Sequence, residues 1–336
     1  MEPALYLALA LALLFALTNG FLDAANAVAA LVITRVASPA GAILLAAFFN
    51  MAGPLLLGGA VADTIGKIVT VPAGEGVAVI GAGLTGAIAW NLFAHRRRIP
   101  SSSSHALIGG LVGVALVSAG MNAVQWGGLD GLKPYGVLGV LLVLALAPLL
   151  GLAVGYLLEL PLLWLGKRLS RSGGRTLAQG QWLASGWLSF AHGSNDAMKS
   201  VGIIAALFVV GGQATELTVS WPMILAAAAA LTVGTALGGW GIVKTVGQDI
   251  YRIRQLDGLV VQSGSSLVIL AASAIGAPVS TTQVVSSTIV GTGIGRGRRR
   301  HIDWMVVRAI LITWVTTMPA AAALGVVSLP LWKFIT

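Results

Sequence analysis

Ten apolar stretches order this chain, at about 4–35, 40–62, 76–94, 101–119, 135–158, 181–210, 222–246, 259–276, 279–294 and 303–329. A hydrocarbon core takes roughly 20 helical residues to cross. The pattern therefore predicts an all-α, polytopic membrane protein. The first and sixth stretches run to about 30 residues and carry Asp, Asn and His among apolar neighbours. That predicts broken or strongly tilted helices, because an ionisable group in hydrocarbon costs several kcal/mol (about 2.5–3.5 on insertion scales) and needs a compensating role. The fourth and ninth stretches are short and open with Pro and hydroxyl residues. The pairs 76–94/101–119 and 259–276/279–294 either cross fully or form re-entrant hairpins. Arg96 to Arg98 would be costly at a dry tip, so the first tip is expected in a cytoplasmic vestibule or at the surface.

Composition agrees with this reading. The chain is 57% hydrophobic and 9% charged, against about 25% charged in soluble domains. Its 44 glycines suit close helix packing in lipid. No cysteine is present, so there is neither a disulfide framework nor a thiolate site. Glu2 and the lack of a basic region before the first apolar run make that run an expected membrane helix rather than a cleaved signal.

The net charge of +9 does not point to nucleic acid, because the basic residues lie between spans. With the N-terminus outside and every stretch crossing, one set of loops holds Arg35; Arg96, Arg97 and Arg98; Lys167, Arg168, Arg171 and Arg175; Lys244, Arg252 and Arg254; and Arg296, Arg298, Arg299 and Arg300. Positive loops face the cytoplasm. Both termini are then expected outside.

Two motifs recur. Gly193-Ser-Asn-Asp-Ala-Met-Lys199 matches Gly20-Phe-Leu-Asp-Ala-Ala-Asn26, placing Asp196 on Asp23 and Lys199 on Asn26, 173 positions apart. Pro100-Ser-Ser-Ser-Ser-His105 matches Pro278-Val-Ser-Thr-Thr-Gln283, 178 positions apart. Five stretches separate the copies, and five is odd, so the halves enter the membrane from opposite sides. The expected architecture is two inverted repeats of about five apolar segments with broken helices or helical hairpins, over 1–165 and 181–336, joined by a basic linker at 166–180. Substrate and ions bind at the midplane in such folds.

The chemistry follows from residue types. Hydroxyls beside the free amides of a helix start make an oxyanion site; the simpler alternative is ordinary N-capping. Asp23, Asn26, Asn195 and Asp196 offer hard oxygen ligands for Na⁺, or carboxylates that carry H⁺. Interhelical hydrogen bonding explains the asparagines as well but handles two matched aspartates poorly. Lys199 beside Asp196 replaces a bound cation with a fixed one or contacts the anion. His105 and His192 lie within the motifs and can shuttle protons. His95 and His301 adjoin basic loops, as interfacial residues do.

At these residues the chain resembles the inorganic phosphate transporter (PiT) family, bacterial branch, over nearly its whole length. The family signature Gly-x-Asn-Asp-x-x-Asn is met at 193–199 with Lys in the last place, and at 20–26 with Leu22 in the first Asn place. The resemblance implies phosphate import by cation symport with alternating access between the repeats and no cofactor. It also implies an anion held by Ser102, Ser103, Ser104, Ser280, Thr281 and Thr282, to which the position of Lys199 adds that residue. A cation, H⁺ or Na⁺, would be served by Asp23, Asn26, Asn195 and Asp196. Lys199 favours H⁺. A metal–phosphate complex or sulfate as cargo, and a homodimer, are left open. Two rivals come from other classes. An intramembrane serine hydrolase would use Ser194 with a histidine base, but paired symmetric polar groups give hydrolysis no advantage. A passive anion channel would need basic rings, and buried carboxylates repel its ion.

Overall fold

The computed structural model describes residues 3–71, 74–97, 100–168, 173–238, 243 and 245–336, excepting the side chains of 165–168, 173 and 246. Of the basic residues used for orientation, Arg98, Arg171 and Lys244 lie outside the described residues, as do the side chains of Lys167 and Arg168.

Every apolar stretch forms helix. The helices are α1 (Pro3–Ile33), α2 (Pro39–Leu57), α3 (Ala60–Gly66), α4 (Gly76–Arg96), α5 (Ser103–Ala119) and α6 (Gly136–Arg168), then α7 (Gly173–Val210), α8 (Trp221–Leu237), α9 (Gln255–Ala274), α10 (Thr281–Gly295) and α11 (Trp304–Ile335). A two-stranded ribbon, β1 (Gly128–Asp130) and β2 (Lys133–Tyr135), precedes α6. Among the described residues, 7 helices are long and apolar enough to span a bilayer. Helices α5 and α8 have 17 residues each and α10 has 15, or about 22–26 Å at 1.5 Å per residue. Much of the expected linker at 166–180 is helix, the end of α6 and the start of α7.

The breaks fall elsewhere than the polar residues suggest. The first and sixth stretches are unbroken helices of 31 and 38 residues. Asp23, Asn26, Asn195 and Lys199 stay in helix, with partners on the hairpin tips and helices packed against them. Helix α4 ends at Arg96 and α9 at Ala274, and the chain restarts as α5 at Ser103 and α10 at Thr281 just after Pro100 and Pro278, which have no amide to donate. Each of α4–α5 and α9–α10 is therefore a hairpin of two helices packed on each other. The first hairpin's turn passes from exposed Arg96 and Arg97 to buried Pro100 within four residues. Arg96 and Arg97 thus stay out of the core while Pro100 lies inside it.

Packing displays the two repeats. Helix α1 lies on α8 and α7 lies on α2; α5 lies on α11 and α10 on α6; α4 meets α11 and α9 meets α6. Each pair is the other with first-repeat and second-repeat members exchanged, and the odd number of crossings makes the relation an inversion. Glycine contacts repeat the symmetry in detail. A methyl at Gly20 would run into the carbonyl of Leu231, and one at Gly193 into that of Asn50. Reciprocally, Gly234 faces the Leu17 carbonyl and Gly53 the Phe190 carbonyl. The signature glycines thus let the helices cross at backbone contact, which brings their polar faces within hydrogen-bonding reach. At the far end of the second hairpin, Arg296 is ion-paired to Asp257 and stands 3.6 Å from Glu159, tying α10 to α9 and α6.

Gly193→Ala puts a methyl against backbone and is expected to cost about 1–3 kcal/mol, as overpacking does. Thermal unfolding of the detergent-solubilised protein checks it. The control is Gly128→Ala, which has open space around it; its melting temperature should match wild type while that of Gly193→Ala falls.

Candidate functional site

The two hairpin tips meet at the centre of the helix bundle. Ser104 Oγ donates to the carbonyl of Val279 at 2.9 Å, joining one tip to the other. Gln283 Nε2 lies 3.4 Å from His105 Nδ1, so the repeat-related pair face each other. Ser102 and Ser280 are N-caps, accepting from the amides of His105 and Gln283. For these two hydroxyls the plain capping role holds, and Ser102 also bonds His105 Nδ1 at 2.7 Å. The following positions of each motif turn outward from their own helix and meet the aspartates.

Asp23 on α1 receives Ser103 Oγ at 3.2 Å, Thr282 Oγ1 at 2.5 Å and Asn26 Nδ2 at 2.8 Å. Asn26 also donates to Thr282 Oγ1 at 3.0 Å. Asp196 on α7 receives Thr281 Oγ1 at 3.0 Å and is paired with Lys199. Lys199 further donates to Ser104 Oγ and to the Val279 carbonyl, each at 2.6 Å. The correspondence is exact in kind. Ser103 serves the first aspartate as Thr281 serves the second, and Asn26 reaches Thr282 as Lys199 reaches Ser104. The structure brings Asp23, Asp196 and His192 together, with one ligand atom of each within 4.8 Å of the others. All are buried.

His192 stands with Nε2 3.0 Å from Asp196 Oδ2 and Nδ1 3.0 Å from Asn50 Oδ1. Asn50 passes the chain on to Thr235, which in turn reaches the carbonyl of Gly20 at 3.4 Å. Asn50 and Thr235 were not singled out from the sequence: each is a lone polar residue in an apolar helix, without a motif around it. The carbonyl of Val279 was equally invisible, since a backbone atom carries no residue signal. Ser194, the nucleophile a hydrolase would need, donates to the Ala191 carbonyl of its own helix.

The repeats also differ at Asn195. Asn195 clamps the second tip, donating to Ser273 Oγ at 2.9 Å and the Ala277 carbonyl at 3.1 Å and accepting from the Val279 amide at 3.1 Å. Its counterpart in the first repeat is Leu22, which has no such groups. Beside Leu22 lies a cavity of about 10 Å³ bordered by Asp23, Asn26, Asn91, His95 and Ser101, room for about one water. The amide of Asn91 is buried and without a hydrogen-bond partner.

Comparison with known proteins gives the fold its context. The model of the phosphate transporter family matches this chain twice, over residues 19–173 and 166–325. The chain belongs to the phosphate transporter family. A "Probable low-affinity inorganic phosphate transporter" of Rhizobium meliloti is 39% identical over 325 residues, covering 96% of this chain and 95% of that protein. The protein of the same description from Bacillus subtilis is 36% identical, covering 94% and 93%. A solved structure, "The sodium-dependent phosphate transporter", superposes with a TM-score of 0.85 at 23% identity, covering 99% of this chain and all of that one; it shows the same fold. The family and these relatives are transporters, not enzymes, which sets aside the hydrolase.

Asn195→Ala removes three hydrogen bonds to the second tip. It is expected to raise amide hydrogen exchange at 275–280 at least tenfold, about 1.4 kcal/mol or more, while exchange at the first tip stays as in wild type. Unchanged protection at 275–280 would contradict the clamp.

Proposed function

We propose that this chain imports inorganic phosphate across a bacterial inner membrane by symport with a proton, its inverted repeats alternating access to the central site. The membership of the family supports phosphate as cargo. The coupling ion is argued from charge. Two buried carboxylates face one ammonium and the imidazole of His192, whose Nε2 is engaged with Asp196. Lys199 balances Asp196 and leaves Asp23 with hydroxyl and amide donors but no charged partner of its own. A buried carboxylate without a counter-charge is strongly unfavourable, so Asp23 is the position that takes an exchangeable cation. A proton removes the buried charge of Asp23 and releases the donors of Ser103, Thr282 and Asn26 that its ionised form holds. Na⁺ is the second reading, favoured by the solved sodium-dependent relative of the same fold.

Phosphate in this reading enters between the two helix starts, where first-turn amides of α5 and α10 have no intrahelical partner. Ser103, Ser104, Thr281 and Thr282 then turn from the aspartates to the anion. Protonating Asp23 frees its hydroxyl donors for that turn, which couples the two binding events through shared groups. Lys199 keeps Asp196 neutralised throughout and adds positive potential for the anion. Phosphate can donate a hydrogen bond to a carboxylate whereas sulfate at neutral pH cannot, and the two aspartates select on that ground. The one-sided distribution of basic loops supports a topology with both termini outside.

Uptake by proteoliposomes at fixed internal pH tests this. Wild type should accumulate phosphate without Na⁺ and lose accumulation when the proton gradient is collapsed. Asp23→Asn should lower coupled uptake at least tenfold, about 1.4 kcal/mol or more of lost stabilisation. Lys199→Asn restores the family signature and should make uptake respond to Na⁺. Strict Na⁺ dependence of the wild type would end the proton reading.

A further inference from the structure

A second concave site lies at the end of α1, away from the hairpin tips. It is a pocket of about 620 Å³ bordered by Thr34, Arg35, Gln248, Arg252, Arg254 and Gln255. Three arginines line it, and no carboxylate residue among the described residues does. The ion pairs among the described residues include none of these arginines. The carboxylate nearest in sequence to Arg254, Asp257, bonds the Arg254 backbone amide and pairs with Arg296 instead.

Arg35 carries a second, independent signal. It has φ 58°, the one non-glycine residue with positive φ among the described residues. It closes α1 in a left-handed cap: its amide reaches the Val32 carbonyl, and the next two amides reach that of Leu31. Helix α7 ends in the same way. The Gly212 amide reaches Val209, and the next two amides reach Phe208, but there the left-handed residue is glycine, with φ 67°. Glycine adopts this conformation freely, and any residue with a Cβ does so at a cost. One repeat uses the easy residue and the other puts an arginine in the costly conformation, at the rim of a pocket with two more arginines. Backbone strain of this kind gathers at ligand clamps. The negative end of the α1 dipole accounts for one cation here, not for three converging on a concavity.

We propose that this pocket binds a phosphate group, either free inorganic phosphate or the headgroup of an anionic lipid, held by Arg35, Arg252 and Arg254 with Gln248 and Gln255 as neutral donors. Guanidinium forks match phosphate oxygens in pairs. The loops concerned are those the charge distribution puts on the cytoplasmic side, so free phosphate bound here is phosphate on the release side of the membrane. The site stands independently of the central one.

The test uses purified full-length protein in neutral-lipid nanodiscs and the variant R35Q/R252Q/R254Q. Equilibrium binding of radiolabelled inorganic phosphate should show one phosphate more per chain in wild type than in the variant, and the extra one should weaken with salt. Native mass spectrometry of discs containing phosphatidylglycerol gives the other arm: retention of that lipid by wild type and its loss from the variant assigns the site to a headgroup. Retained helical signal and melting temperature in the variant exclude misfolding as the cause. Wild type and variant alike in both phosphate stoichiometry and lipid retention would overturn the proposal.

Discussion

Lys199 spends its ammonium on three partners from three parts of the chain: Asp196 on its own helix, Ser104 of the first hairpin tip and the Val279 carbonyl of the second. That one buried charge holds both tips against α7. A lysine in the core is tolerable only when fully paired, and the requirement runs both ways. The tips must come together to satisfy Lys199, and once together they bring Ser103 and Thr282 onto Asp23. Close helix crossings make this reach feasible, because Gly20 and Gly193 set α1 and α7 at backbone contact with α8 and α2.

Much of this was legible beforehand. The ten apolar stretches became helices, and the matched motifs at 20–26 and 193–199 placed Asp23 and Asp196 in one cluster. The odd number of apolar stretches between the copies implied the inversion without any geometry. The polar residues of α1 and α7 were misleading about where the helices break. A polar residue in an apolar run reports a need for partners, and Asp23 found them on α10 and α5 across the bundle, leaving its own helix intact. The division of labour among the hydroxyls was also out of reach. Ser102 and Ser280 cap their helices while Ser103 and Thr281 bond aspartates, and consecutive serines look alike until the helix start fixes their directions. Asn50 lacked any pattern, since one asparagine in one apolar helix is a common packing device.

Near-symmetry makes the departures informative. Lys for Asn at 199 turns a ligand position into a charge, and Leu for Asn at 22 leaves the first tip without the clamp that Asn195 gives the second. Arg35 closes α1 in the left-handed conformation that Gly212 supplies at the end of α7. Lys199 and Leu22 each fall on one repeat alone, so under the proposed proton symport the second repeat carries the fixed charge and the first the exchangeable one.

The sharpest check on this division is infrared difference spectroscopy of the purified protein on adding phosphate, in wild type and in Asp23→Asn and Asp196→Asn. The account predicts a carboxylic-acid band in wild type that disappears with Asp23→Asn and persists with Asp196→Asn. A band that persists with Asp23→Asn and is lost with Asp196→Asn would assign the exchangeable proton to the wrong repeat for this account and contradict it.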